Sequence, residues 1–251
     1  MKKLIALTLA ALTAVCCLAS CGAEEKPVDT ATLTMATNAE FPPFEYLEGD
    51  KIVGAEVEMA EAIAAKMGRT LEITNMDFDA ALTGAATGKY DVAISGVTAT
   101  DERRLNMGFS DDYYKASQAI IVNAESEIKA AADLTGKTVS CQEGTTGEQY
   151  LLDNNYNVQS FKTGAEAITA LVAGKVDAVV IDDAVAKALS ASQNGKTVVL
   201  DEAMTEEAYA IVTKLGNDDL IAELNAALAE LKADGTLAEI FAKYDLVVDA
   251  E

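Results

Sequence analysis

Residues 81–96 read ALTGAATGKYDVAISG and residues 167–182 read AITALVAGKVDAVVID. Each begins as a small-residue helical stretch, breaks at Gly-Lys-x-Asp (Gly88 to Asp91, Gly174 to Asp177), and continues as a short apolar run that ends on a polar residue. A glycine directly after a helical pattern supplies the left-handed residue that stops a helix, and a short apolar run bounded by turns reads as a buried strand. Laid over one another, Gly88 falls on Gly174 and Gly96 on Asp182. One helix–turn–strand unit therefore occurs twice, which predicts two lobes built alike.

The alternation continues on both sides of the two copies. LTMAT (33–37) and LEIT (71–74) read as strands, and VEMAEAIAAKMG (57–68) reads as a helix with Val57, Ala60, Ile63, Ala64 and Met67 on one face. KTVSC, TTGEQYLLDN and DAVAKALSA extend the pattern, and DDLIAELNAALAELKADG and TLAEIFAKY close it as helices. Repeated βα units predict an α/β fold in which each lobe is a mostly parallel sheet flanked by helices. Ligands of such sheets bind beyond the carboxyl ends of the strands.

The chain has 251 residues, 50% of them hydrophobic, with 41 acidic against 19 basic side chains, a formal net charge of −22 and no histidine. A field of that sign repels phosphate backbones, so nucleic acid is not an expected partner. Without histidine no Ser-His-Asp or Cys-His arrangement can form. Gly136-Lys137-Thr138 and Gly195-Lys196-Thr197 resemble fragments of a phosphate loop, but Ala131 and Ser190 stand where its first glycine belongs. No metal or cofactor is expected.

MKKLIALTLAALTAVCCLASC at the N-terminus has Lys2 and Lys3, an apolar stretch too short to span a bilayer comfortably, and small residues before Cys21. It reads as an export signal over 1–20. Cys21 follows a small residue and has a leucine three positions before it, which resembles the lipobox of bacterial lipoproteins. An ordinary secretory signal or an uncleaved anchor is the alternative. Residues 21–31 then read as a lipidated tether, with more than one acyl chain on Cys21 needed for stable anchoring. Cys16 and Cys17 leave with the signal, and Cys141 remains as a small buried hydrophobe without a disulfide partner.

VAISGVTATDERR (92–104) sets Ser95, Gly96, Thr98 and Arg103 beyond the first copy of the strand. Hydroxyls, an unobstructed backbone N–H and a guanidinium fork suit a carboxylate. Asp182, at the matching place of the second copy, suits an ammonium, and Thr146 adds a hydroxyl at a helix N-terminus. Two walls of opposite polarity fit a zwitterion.

On these residues the chain resembles the solute-binding proteins of bacterial polar amino-acid ABC transporters, of the two-lobed, class II periplasmic-binding type. The likeness runs from about Thr32 to Tyr244. It rests on ATNAEFPPFEYLEGDKIVGAEVEMAEAIAAKMG, FDAALTGAATGKYDVAISGVTATDERRLNMGFSDDYY, GKTVSCQEGTTGEQYL and AGKVDAVVIDD. It implies a first lobe of residues 33–117 and 206–246, a second of 118–205, and hinge crossings near Lys115 to Gln118 and Met204 to Ala208.

The resemblance further implies α-carboxylate contacts from Arg103, Thr98, Gly96 and Thr146, and α-ammonium contacts from Asp182 with help from Ser95 or Thr98. It makes Phe41 and Phe78 an aromatic pair around the ligand side chain, with Asn38 and Gln142 at its head group and Glu40 and Glu143 nearby. Asn38 stands where binders of cationic amino acids carry an acid, so a neutral polar ligand such as glutamine or cystine is expected. The implied protein is no enzyme: it is a monomeric, membrane-anchored extracytoplasmic receptor that closes around a free amino acid and hands it to an ABC permease. A sensory or scaffold lipoprotein, and a dehydratase on the same fold with Glu40, Glu143 or Asp182 moving a proton, are the alternatives.

Overall fold

The computed structural model describes residues 31–248. The export signal, Cys16, Cys17, Cys21 and nearly all of the tether lie outside the described residues.

The chain first runs through β1 (Thr32–Thr37), β2 (Glu40–Phe41), β3 (Glu45–Glu48), β4 (Lys51–Val53), α1 (Ala55–Lys66), β5 (Thr70–Asn75), α2 (Phe78–Ala86), β6 (Val92–Ala93), α3 (Asp101–Arg104) and β7 (Met107–Ala116). It crosses at Ser117 into β8 (Gln118–Asn123), then β9 (Thr138–Gln142), α4 (Thr146–Asp153), β10 (Asn157–Phe161), α5 (Gly164–Val172), β11 (Ala178–Asp182), α6 (Asp183–Ala191) and β12 (Thr197–Val199). It returns as β13 (Glu207–Lys214) and ends in α7 (Asp218–Ala233) and α8 (Thr236–Ala242). One five-stranded sheet has the order β5-β1-β6-β13-β7, a second has β10-β9-β11-β8-β12, and β2-β3-β4 form a small third.

The sequence repeat is a structural repeat. Gly88 and Gly174 take φ of 77° and 68°, and each directs its N–H and that of the following lysine back to the helix, to Ala85 and Gly84 in one copy and to Leu171 and Ala170 in the other. That pair of bonds is the glycine-dependent helix stop. The aspartate two residues beyond each lysine then holds the neighbouring strand. Asp91 accepts the N–H and hydroxyl of Thr34 at 2.8 and 2.7 Å, and Asp177 accepts the Thr138 N–H at 2.8 Å. β6 and β11 come out beside β1 and β9, with Gly96 and Asp182 just past or at their ends.

The expectation of mostly parallel sheets is corrected. Each sheet has two parallel pairings and two antiparallel ones. The chain leaves the first sheet along β7 and comes back along β13, so these neighbours run in opposite senses, and β8 with β12 repeats this in the second sheet. Beside the crossing, the Phe44 ring packs edge-on against Tyr114 and Tyr209 at 5.0 and 5.3 Å, which fixes the Tyr209 ring near the second lobe.

Candidate functional site

The first wall is made where β1 and β6 end. Gly96 has φ of 56°, and a Cβ there would stand 2.7 Å from the Phe41 ring, so the turn needs glycine on both counts. Thr100 caps the short helix α3 by accepting the Arg103 N–H at 3.2 Å. Arg103 points back into the cleft, with Nη1 donating to the Thr98 carbonyl at 2.9 Å, Nη2 to the Gly144 carbonyl of the other lobe at 3.1 Å, and the guanidinium 5.6 Å from the Phe78 ring centre. It makes no ion pair with Asp101 or Glu102 among the described residues. Burial pulls its pKa below the usual arginine range while the charges of Glu207, Asp182 and Asp79 oppose that pull.

Asp182 forms the second wall. It occupies the N-cap position of α6 without capping it. Its Oδ1 accepts the Tyr209 hydroxyl at 2.6 Å and its Oδ2 the Gln118 amide at 3.0 Å. Burial, reinforced by the charge of Glu207, pushes its pKa up to about 7. Beside it, α4 is capped by Thr145, which accepts the Glu148 N–H at 3.2 Å, so Thr146 is the first helical residue rather than the cap. First-turn N–H groups of a helix lack intrahelical acceptors, which makes this end attractive to anions.

A small pocket of about 10 Å³ lies between the walls, lined by Asn38, Phe41, Phe78, Ser95, Gly96, Arg103, Gln142, Thr145, Thr146 and Asp182. Every residue expected to face a ligand is brought here except Thr98, and Thr145 is added. At one end the Gln142 amide donates to Asn38 Oδ1 at 3.1 Å across the lobes, and Asn38 Nδ2 donates to the Met76 carbonyl at 3.0 Å. Glu40 is exposed, and Glu143 pairs with Lys162 at 2.6 Å over a separate recess of about 180 Å³ that includes Asp77 and Asp79. Gly147 leaves room for Gln118: a Cβ on it would stand 2.6 Å from that amide oxygen.

Three acids behind the pocket were not singled out from sequence. Fully buried Glu45 accepts the Ser95 hydroxyl at 2.8 Å, and fully buried Glu56 accepts the Gly96 N–H with both oxygens at 3.1 Å and the Tyr113 hydroxyl at 2.6 Å. Glu45 Oε2 is buried and meets no hydrogen-bond donor. Burial raises both pKa values and, with the Glu56 charge adding to it, takes Glu45 well above the carboxylate range. Glu207 takes the hydroxyls of Thr98 and Thr146 at 2.6 and 2.7 Å.

These acids settle the polarity of the pocket. A hydroxyl has one proton to give. Ser95 and Thr146 give theirs to carboxylates while accepting the Asn38 N–H at 3.1 Å and the Gln118 amide at 3.4 Å, and the Gly96 N–H is spent on Glu56, so none of the three has a proton left for a ligand. The donors left to an anion are Arg103 and the start of α4. Cys141 is buried and its thiol is pushed up to about 11 by that burial, which makes it inert. Among the described residues no group of three or more His, Cys, Asp or Glu side chains is placed to hold a metal, and no helix is long and apolar enough to cross a membrane.

Residues 33–246 match the model of the bacterial extracellular solute-binding proteins, family 3, and the chain belongs to that family. The arginine-binding extracellular protein ArtP of Bacillus subtilis is 32% identical over 251 residues, with 97% of this chain and 98% of that one covered. The L-cystine-binding protein TcyJ of Escherichia coli strain K12 is 31% identical, with 89% and 86% covered. An ancestral arginine-binding protein, solved bound to glutamine, superposes with a TM-score of 0.81 at 40% identity, covering 85% of this chain and 97% of that one. The same comparison holds for its arginine-bound form, at 40% identity and a TM-score of 0.81.

Proposed function

We propose that this chain is the extracytoplasmic receptor of an amino-acid ABC transporter. It holds one free polar amino acid between its lobes, closes on it by a hinge motion and delivers it to a permease, as a monomer anchored by a lipid on Cys21. One observation carries the reading: Arg103 and Asp182, of opposite charge and on opposite walls, line a single pocket. An amino acid offers each wall the pole it lacks. Its ammonium supplies the cation that buried Asp182 is without, and its carboxylate meets the guanidinium and the start of α4.

The side-chain end favours a neutral polar group. Asn38 and Gln142 are uncharged there, and no carboxylate lines that end of the pocket. The relatives named for L-cystine and the ancestral protein bound to glutamine agree with this. A cationic ligand is the second reading, supported by Asp77, Asp79 and Glu143 just past Phe78 and by the relatives named for arginine. Thermal-shift titration of the mature chain with glutamine, cystine, arginine and lysine tests both, because a ligand stabilises by RT ln(1 + [L]/Kd). The largest shift with glutamine or cystine sustains the first reading, and the largest with arginine or lysine transfers it to the second. No shift with any common amino acid overturns the function.

A further inference from the structure

Glu207 lies behind the pocket at the start of β13, where the chain returns from the second sheet to the first. Its Oε2 accepts the Thr98 hydroxyl at 2.6 Å and the Thr146 hydroxyl at 2.7 Å, and its Oε1 accepts the Thr205 hydroxyl at 2.8 Å. Thr98 is bridged to Tyr209 of β13 and so moves with the first lobe, while Thr205 sits in the returning crossing. Thr146 opens α4 of the second lobe. A single carboxylate oxygen thus receives one proton from each lobe. Carboxylate bonds of this kind are among the stronger hydrogen bonds, and half-burial of Glu207, Thr98 and Thr146 limits competition from water.

We propose that Glu207 is a positioning residue, a latch that holds the second lobe against the first through the Thr146 hydroxyl. The latch needs no atom of a ligand. It rests on the reading of the chain as a hinged receptor. A rotation that parts the lobes takes Thr146 away from Glu207 and leaves Thr98 and Thr205 in place, so the latch is a bond of the closed form alone. A bond made only in the closed form raises that form's population and lowers the apparent Kd of any ligand that needs it. Because it must break before the ligand leaves, its loss falls on the release rate.

The test uses spin labels at Glu61→Cys in α1 and Lys175→Cys after α5 in the otherwise intact mature chain, with no amino acid added. Glu207→Ala and Thr146→Val should each lengthen the mean distance between the labels. The double variant should go no further than either alone, since both remove one bond. Glu207→Gln, whose amide oxygen still accepts a hydroxyl, should fall between the parent and Glu207→Ala, and it serves as the readout if Glu207→Ala folds poorly. With glutamine or arginine, whichever the parent binds more tightly, Glu207→Ala should release about tenfold faster at an unchanged association rate. A distance distribution identical to the parent's in Glu207→Ala and Glu207→Gln, or additive effects of Glu207 and Thr146, overturns the latch. A latch seen by the labels in a chain that binds no amino acid sustains it and overturns only the amino-acid reading.

Discussion

The Tyr209 hydroxyl, carried on a strand of the first lobe, donates at 2.6 Å to the carboxylate of Asp182, the last residue of a strand in the second. Gln118, which also donates to that carboxylate, is neutral too, and burial brings Asp182 to about 7 against an ordinary value of 3.8. The folded chain therefore keeps this proton to a higher pH than the unfolded chain does. Stability from Asp182 is present around pH 4 and is lost as the pH rises towards about 7, a loss on the order of 4 kcal/mol. Asp182→Asn, which never ionises, should match the parent's melting temperature near pH 4, exceed it near pH 8, and bind no amino acid. Equal melting curves near pH 8 would refute the assignment. In the parent, an ammonium ligand should expel the proton, so affinity should weaken below about pH 7, by up to tenfold per unit. Calorimetry in buffers of different ionisation heat reads the released proton directly.

Arg103 is held by two carbonyls, one from each lobe, at 2.9 and 3.1 Å. A guanidinium can satisfy both and still turn a donor edge to a carboxylate, whereas an ammonium on a flexible stem cannot keep that geometry. Arg103→Lys retains the charge and should still weaken amino-acid binding by roughly 2 kcal/mol or more, about thirtyfold. Isothermal titration with the preferred amino acid checks it, and an affinity within threefold of the parent's would remove Arg103 from the site.

The repeat was legible because its information is local. Gly88 and Gly174 stop helices by their own backbone freedom, and Asp91 and Asp177 reach strands that pack directly beside them. Asp182 could be placed by its position in that repeat, and Arg103 by following its first copy within a few residues. Glu45, Glu56 and Glu207 could not. Glu45 lies close to exposed Glu48, and Glu207 follows exposed Glu206, so nothing nearby in sequence marks which glutamate turns inward. Their surroundings are supplied by distant segments: Ser95 for Glu45, Tyr113 for Glu56, Thr146 for Glu207. The crossing strand β7 was hidden in the same way, because Asp111 and Asp112 interrupt its apolar pattern while facing outward.

The two aspartates of the repeat differ in what they hold. Asp91 is half-buried and accepts both the N–H and the hydroxyl of Thr34, while Asp177 is exposed and accepts the Thr138 N–H. Loss of a carboxylate that satisfies a strand N–H costs roughly 1–3 kcal/mol, with the upper end for buried groups. Asp91→Ala should therefore lower the urea midpoint more than Asp177→Ala does, with the slope of the transition unchanged. The reverse order would mean that the equivalent positions do different work.

Asn38 decides between the two ligand readings, because its side chain is committed at both ends. Its oxygen accepts from Gln142 of the other lobe and its nitrogen donates to the Met76 carbonyl. Asn38→Asp replaces that nitrogen by an oxygen, which sets a carboxylate against the carbonyl and buries a charge without a partner. A neutral ligand leaves the charge unpaired, and affinity for glutamine should fall. A cationic side chain reaching that end pairs with it, so affinity for arginine or lysine should rise relative to glutamine by about tenfold or more. Paired titrations of parent and variant with glutamine and arginine read the ratio, which cancels any general loss of stability. A ratio that stays at the parent's value would show that the ligand side chain does not reach Asn38 and would move the specificity to the Asp77, Asp79 and Glu143 side of Phe78.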